Sequence, residues 1–119
     1  MQPVALDKLT TEQLVDRFAA IGEAQHVACN RRDTRRYNRL YRQIDAVDKE
    51  LHRRGPEARA ALKRLYVHPD IQVRTMAGQL TADEFPAEVR PVLEAIRDSW
   101  YIPYCVDASF CLDRIDGKN

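Results

Sequence analysis

Apolar side chains recur every three or four residues through most of the chain, and no segment sustains an alternation of period two. That pattern predicts helices throughout. Leu14, Phe18 and Ile21 mark a first helix running to about Cys29. It opens at Thr10-Thr11-Glu12-Gln13, a capping-box sequence in which the Thr10 hydroxyl and the Gln13 amide satisfy each other's backbone N–H groups. The Asn30 to Asp33 stretch interrupts, and Thr34 is expected to cap a second long helix ending near Arg54, with Tyr37, Leu40, Tyr41, Ile44, Val47 and Leu51 on its inner side. Gly55-Pro56 then stops one helix and starts the next, since proline suits a first helical position and glycine the residue after a last one. The third helix carries Ala58, Ala61, Leu62 and Leu65. After the His68-Pro69-Asp70 turn, Asp70 is placed as N-cap of a fourth helix with Val73, Met76, Ala77 and Leu80 inward. Phe85-Pro86 opens a fifth with Val89, Val92, Leu93, Ile96 and Trp100 inward, and a short sixth is expected from Asp107 with Ala108, Cys111, Leu112 and Ile115. The expectation is all-α: one helical domain over residues 1–119, six helices in three hairpins at 10–54, 55–82 and 83–119.

An internal repeat fits this reading. Glu57-Ala58-Arg59-Ala60-Ala61-Leu62-Lys63-Arg64-Leu65 aligns with Glu88-Val89-Arg90-Pro91-Val92-Leu93-Glu94-Ala95-Ile96 at an offset of 31 residues. A fixed period marks stacked helical units that cannot bury an apolar face alone. The stretch from Leu65 through His68-Pro69-Asp70-Ile71-Gln72-Val73-Arg74 to Ala77 resembles the inter-helix turn and second helix of a HEAT repeat. That resemblance implies that Asp70 and Arg74 are ladder residues tying one hairpin to the next. More widely, LVDRFAAIGEAQ, YNRLYRQIDAV and HPDIQVRTMA are similar to a bacterial domain-of-unknown-function family of small HEAT/ARM-repeat-like proteins. The resemblance covers nearly the whole chain and implies a fold without supplying a mechanism. The 31-residue offset falls short of the usual ~40, and Gly78 sits mid-helix, where it costs about 1 kcal/mol against alanine. A compact stack of hairpins with a close crossing at Gly78 is therefore expected rather than a long superhelix.

Composition narrows the function classes. The chain has 119 residues, 45% hydrophobic and 31% charged, a globular balance. No uncharged run exceeds eight residues, well below the roughly 18 of a membrane helix. The start, MQPVALDK, has no basic segment followed by an apolar one, so a soluble cytoplasmic protein is expected. Cys29, Cys105 and Cys111 form no CxxC pair, which argues against a disulfide scaffold or a zinc site. GxSxG, GxGxxG and GxxxxGK are all missing, so no enzyme activity and no cofactor are expected.

Charge is strongly segregated. Residues 31–54 hold nine Lys/Arg against four Asp/Glu, and residues 81–119 four against eight, so +5 faces −4. At roughly 100° per residue, Arg35, Arg39, Arg42, Lys49 and Arg53 fall within about 40° of one line on the second helix, opposite its apolar side. This ridge is a candidate track for an acidic protein surface or, alternatively, for a nucleic-acid backbone. The plainer reading is the solvated face of an amphipathic helix, with Asp45 available to Lys49 and Glu50 to Arg53 or Arg54.

Other constellations are weaker. Glu23 and His26 have the Glu-x-x-His spacing of carboxylate-bridged metal sites, but no second copy exists, so no metal is expected. Asp107, Asp113 and Asp116 are read as offsetting nearby bases. Trp100, Tyr101, Tyr104 and Phe110 gather aromatic side chains in one short region. They are expected to plug the open end of the stack, the alternative being a patch for a partner or a homodimer. The functional expectation is a non-enzymatic module that docks a protein partner, with no membrane association.

Overall fold

The computed structural model describes residues 5–118, so the first four residues of the MQPVALDK start lie outside the described residues. The described chain is all-helical. A short 3₁₀ turn (Leu6–Lys8) precedes α1 (Thr11–Asn30), α2 (Thr34–Arg54) and α3 (Pro56–Ala60), which tightens into a 3₁₀ helix (Ala61–Val67). Then follow α4 (Ile71–Thr81), α5 (Pro86–Asp98) and α6 (Tyr104–Ile115). None of these helices is long and apolar enough to cross a membrane. The chain divides into two compact units, Met1–Lys63 and Arg64–Asn119, and the division falls inside the hairpin expected at 55–82.

In the first unit α1 and α2 pack as a long antiparallel pair. The capping box forms at α1: the Gln13 N–H donates to the Thr10 hydroxyl at 3.0 Å, and the Thr10 N–H donates to the Gln13 side-chain oxygen at 2.8 Å. Leu14, Val15, Phe18 and Ile21 of α1 are buried, as are Leu40, Ile44, Val47 and Leu51 of α2. The cap of α2 is Asp33 rather than Thr34, because the Asp33 carboxylate accepts from the Arg36 N–H at 3.1 Å and leaves Thr34 as the first helical residue. Gly55 ends α2 with φ +105°, a conformation that side chains with a Cβ rarely adopt. Pro56 then occupies the first turn of α3, where a missing N–H costs nothing.

In the second unit a core of Ile71, Val89, Leu93, Ile96, Tyr104, Ala108, Cys111 and Leu112 is covered at its edges by Tyr66, Phe85, Val92 and Ile115. Asp70 caps α4, its carboxylate accepting from the Gln72 N–H at 2.8 Å. Gly78 is the close approach expected of it: a Cβ there would stand 3.2 Å from Leu93 Cδ2 and 3.7 Å from Val89 Cγ1 of α5. Two expectations fail in this unit. Helix α6 begins at Tyr104, three residues before Asp107, with Pro103 at its N-cap position. Trp100 does not continue the inner face of α5, because that helix stops at Asp98. Ser99 closes it by donating to the Ile96 carbonyl at 2.6 Å, and Trp100 turns away with φ +58°.

Candidate functional site

The cationic face lies on a helix, α2, that buries Leu40, Ile44, Val47 and Leu51, whereas Tyr41, expected on the inner side, is 48% exposed beside the arginines. Arg35, Arg39, Arg42, Lys49 and Arg53 are all exposed, yet they fall into two groups. Lys49 sits 2.8 Å from the Asp45 carboxylate, whose hydrogen bond and charge hold the ammonium pKa above its usual value. Arg53 makes a forked pair with Glu50, at 2.9 Å and 2.5 Å, and Arg54 adds a third bond to the same carboxylate at 2.8 Å. The hydrogen bonds from Arg53 and Arg54 pull the Glu50 pKa down to about 2. The C-terminal half of the face is thus locally neutralised, as a charged helix surface usually is.

The N-terminal half is different. Among the described residues the guanidinium groups of Arg35, Arg39 and Arg42 have no carboxylate and no hydrogen-bond partner. Arg31, Arg32 and Arg36 beside them are equally exposed and make no ion pair among the described residues. Arg35 and Arg36 also lie in the first turn of α2, where the helix end is already positive and a base is unfavourable. Arg32 stands at φ +55°, an uncommon conformation for a residue with a side chain. These cations are therefore not placed where helix stability would put them.

One arginine escaped notice in the sequence because nothing in its periodicity marks it. Arg59 of α3 is 2% exposed and pairs with Asp48 of α2, also bonding the Asp48 carbonyl at 3.4 Å. His52 approaches the same carboxylate at 3.8 Å. At the far end of α2, Arg54 donates to the Leu6 carbonyl at 3.1 Å and fastens the 3₁₀ turn to the hairpin. These contacts are structural.

The ladder pair takes a more local form than the HEAT resemblance implied. Arg74 donates to the carbonyls of His68 and Pro69, at 2.7 Å and 3.1 Å, so its guanidinium clamps its own turn instead of reaching another hairpin. The His68 ring accepts from the Asp70 N–H at 3.0 Å and orders the same turn.

The aromatic group is divided. Tyr104 is 2% exposed and belongs to the core rather than to a surface patch, its ring edge-on to Tyr101 at 5.2 Å. Trp100 is 83% exposed and Phe110 69%, so neither plugs the fold. The wheel misassigned Trp100 because it extended α5 past its true end. Nearby, Asp116 pairs with Arg90, and burial raises the Asp107 pKa. Burial raises the Cys111 pKa as well, keeping that thiol protonated. Glu23 and His26 remain on α1, and no group of three or more His, Cys, Asp or Glu side chains among the described residues could hold a metal ion.

These features define a class: an all-helical protein of packed helix pairs with an unneutralised arginine cluster on one outer face. The chain belongs to the family described as Domain of unknown function (DUF2019), whose profile matches residues 12–116. It is similar to the protein RPA1889 from Rhodopseudomonas palustris CGA009, with a TM-score of 0.90 and 36% identity over 97% of this chain and 95% of that one. Comparison with curated proteins finds no match.

Proposed function

We propose that this protein is a non-enzymatic, HEAT-like interaction module that docks an acidic protein partner through Arg35, Arg39 and Arg42. The observation that carries this reading is the contrast along one helix face. Lys49 and Arg53 have carboxylates within 2.9 Å, while the three arginines before them have none among the described residues. Unpaired guanidinium groups lose nothing internal when they bind an external carboxylate, and arginine forms forked bonds with it. Three free cysteines suit a reducing, cytoplasmic setting.

A nucleic-acid backbone is the competing target for the same cations, and one experiment separates the two. The wild type and the triple variant Arg35→Glu, Arg39→Glu, Arg42→Glu are immobilised and exposed to native lysate with and without nuclease. The expected result is a protein retained by wild type after nuclease and lost from the variant. Capture that disappears with nuclease would transfer the arginines to nucleic acid. Equal capture by both chains would reduce them to a solvated face.

A further inference from the structure

The second unit holds a cleft of about 410 Å³ between α6 and α4, within the roughly 300–1,000 Å³ of small-molecule sites. Asp107, Phe110, Cys111 and Arg114 line it, at spacings that put them on one face of α6. Gln79 of α4 and Lys118, beyond the end of α6, complete its wall. The carboxylate of Asp107, expected to offset a nearby base, has no ion pair and no hydrogen bond among the described residues. It is half-buried, and burial with nothing to compensate it raises its pKa, so its ionised form gains from a cation brought against it. Two turns further along the helix the sign reverses. The Arg114 guanidinium stands 3.5 Å from the Gln79 carbonyl, 3.6 Å from the Cys111 sulfur and 3.9 Å from the Asp83 carboxylate. All three are longer than the roughly 2.7–2.9 Å of a charge-assisted bond. Lys118 makes no ion pair among the described residues. Both bases can therefore take a carboxylate without giving up a full-strength partner.

Between the two ends the lining is apolar. Phe110 is 69% exposed, and the Cys111 thiol stays protonated because burial raises its pKa. With Asp113 on the flank, the cleft counts two acids, Asp107 and Asp113, against two bases, Arg114 and Lys118. It is neutral in sum, which suits a ligand that is itself neutral in sum and charged at its ends. Asp107 and Arg114 are seven residues apart, about 10.5 Å along a helix. One extended residue spans roughly 3.5 Å and two roughly 7 Å. With an ion pair of about 2.8 Å at each end, a dipeptide reaches across and a single amino acid falls short. We infer that this cleft binds a zwitterionic peptide of dipeptide length, its ammonium on Asp107, its apolar side chain on Phe110 and its carboxylate on Arg114 and Lys118.

Titration of the full chain with alanyl-leucine, followed by amide NMR, tests this. The expected result is saturable binding with a Kd of about 1 mM or tighter, the shifts centred on the α6 face from Asp107 to Arg114. N-acetyl-alanyl-leucine and alanyl-leucine amide each lack one end charge, and each should bind at least tenfold more weakly, as should leucine alone. The variants assign the ends. Asp107→Asn should weaken alanyl-leucine at least tenfold and leave the N-acetyl form unchanged, since that form has no ammonium to lose; Arg114→Gln should do the same with respect to the amide. A change confined to one end of the ligand separates contact from a general loss of structure, and the capped peptides test the wild type should a variant fail to fold. No saturation at tenfold that concentration, capped peptides or leucine binding as tightly as alanyl-leucine, or folded variants binding it as wild type does, would overturn the inference.

Discussion

Single side chains decide two local stabilities that can be measured. Asp70 spends its carboxylate on the Gln72 N–H, so Asp70→Ala should cost on the order of 1 kcal/mol, as the loss of an N-cap does; an unchanged denaturation midpoint would contradict the capped turn. The Arg59–Asp48 pair is more demanding, because Arg59 is almost fully buried. Asp48→Ala should cost up to about 3–5 kcal/mol by taking the carboxylate from a buried guanidinium, while replacing both residues with apolar ones should recover most of that loss. Chemical denaturation of the two single variants and the double variant reads this directly. Glu50 adds a pH dependence of known sign. Its folded pKa is about 2 against the ordinary 4.5, so its contribution is complete above pH 4.5 and fades as the pH falls toward 2. The stability gap between wild type and Glu50→Gln should therefore narrow over that acid range, and a gap that widened would refute the assignment.

At the scale of helices, what was legible in the sequence depended on whether the signal was local. Thr10 and Gln13 satisfy each other within one turn, and Gly55-Pro56 acts through its own dihedrals, so both were readable. Asp33 and Thr34 are both good caps, and only the bond from Arg36 shows which one is used. The start of α6 was misread because Tyr104, Cys105 and Val106 carry no cap signal and Asp107 does; the core burial of Tyr104 starts the helix earlier. The ridge was legible as a face from its spacing. The neutralised half was legible too, since Asp45 stands four residues before Lys49 and Glu50 three and four before Arg53 and Arg54; whether Arg35, Arg39 and Arg42 find a carboxylate depends on where each side chain points. Two element-level tests follow. Gly78→Ala should lower stability by roughly 1 kcal/mol, because the new methyl meets the buried Leu93 at 3.2 Å and overpacking outweighs the gain in helix propensity; a stabilised variant would show that α5 yields freely. Arg35→Glu, which puts an acid in the first turn of α2, should raise stability by about 0.3–1 kcal/mol. A loss there would mean that the arginine serves the fold.

For the whole molecule, the family match and the structural likeness to the protein from Rhodopseudomonas palustris both extend over nearly the full chain, and charge is what distinguishes residues 31–54 from residues 81–119. Residues 31–54 net +5 and residues 81–119 net −4 once the opposite charges within each segment are counted, as Arg90 and Asp116 are in the second. Near-neutral net charge argues against a dedicated nucleic-acid protein, while a local field of one sign steers a complementary partner. The most direct measurement is the association rate of the nuclease-resistant partner with wild type and with the Arg35→Glu, Arg39→Glu, Arg42→Glu variant at two salt concentrations, alongside duplex DNA. Docking on these arginines requires a rate that falls about tenfold or more in the variant and declines with salt in wild type, with duplex binding weak at physiological salt. Equal rates for both chains, or tight duplex binding that weakens by roughly 0.9 log unit per log unit of salt for each phosphate contacted, would contradict the account.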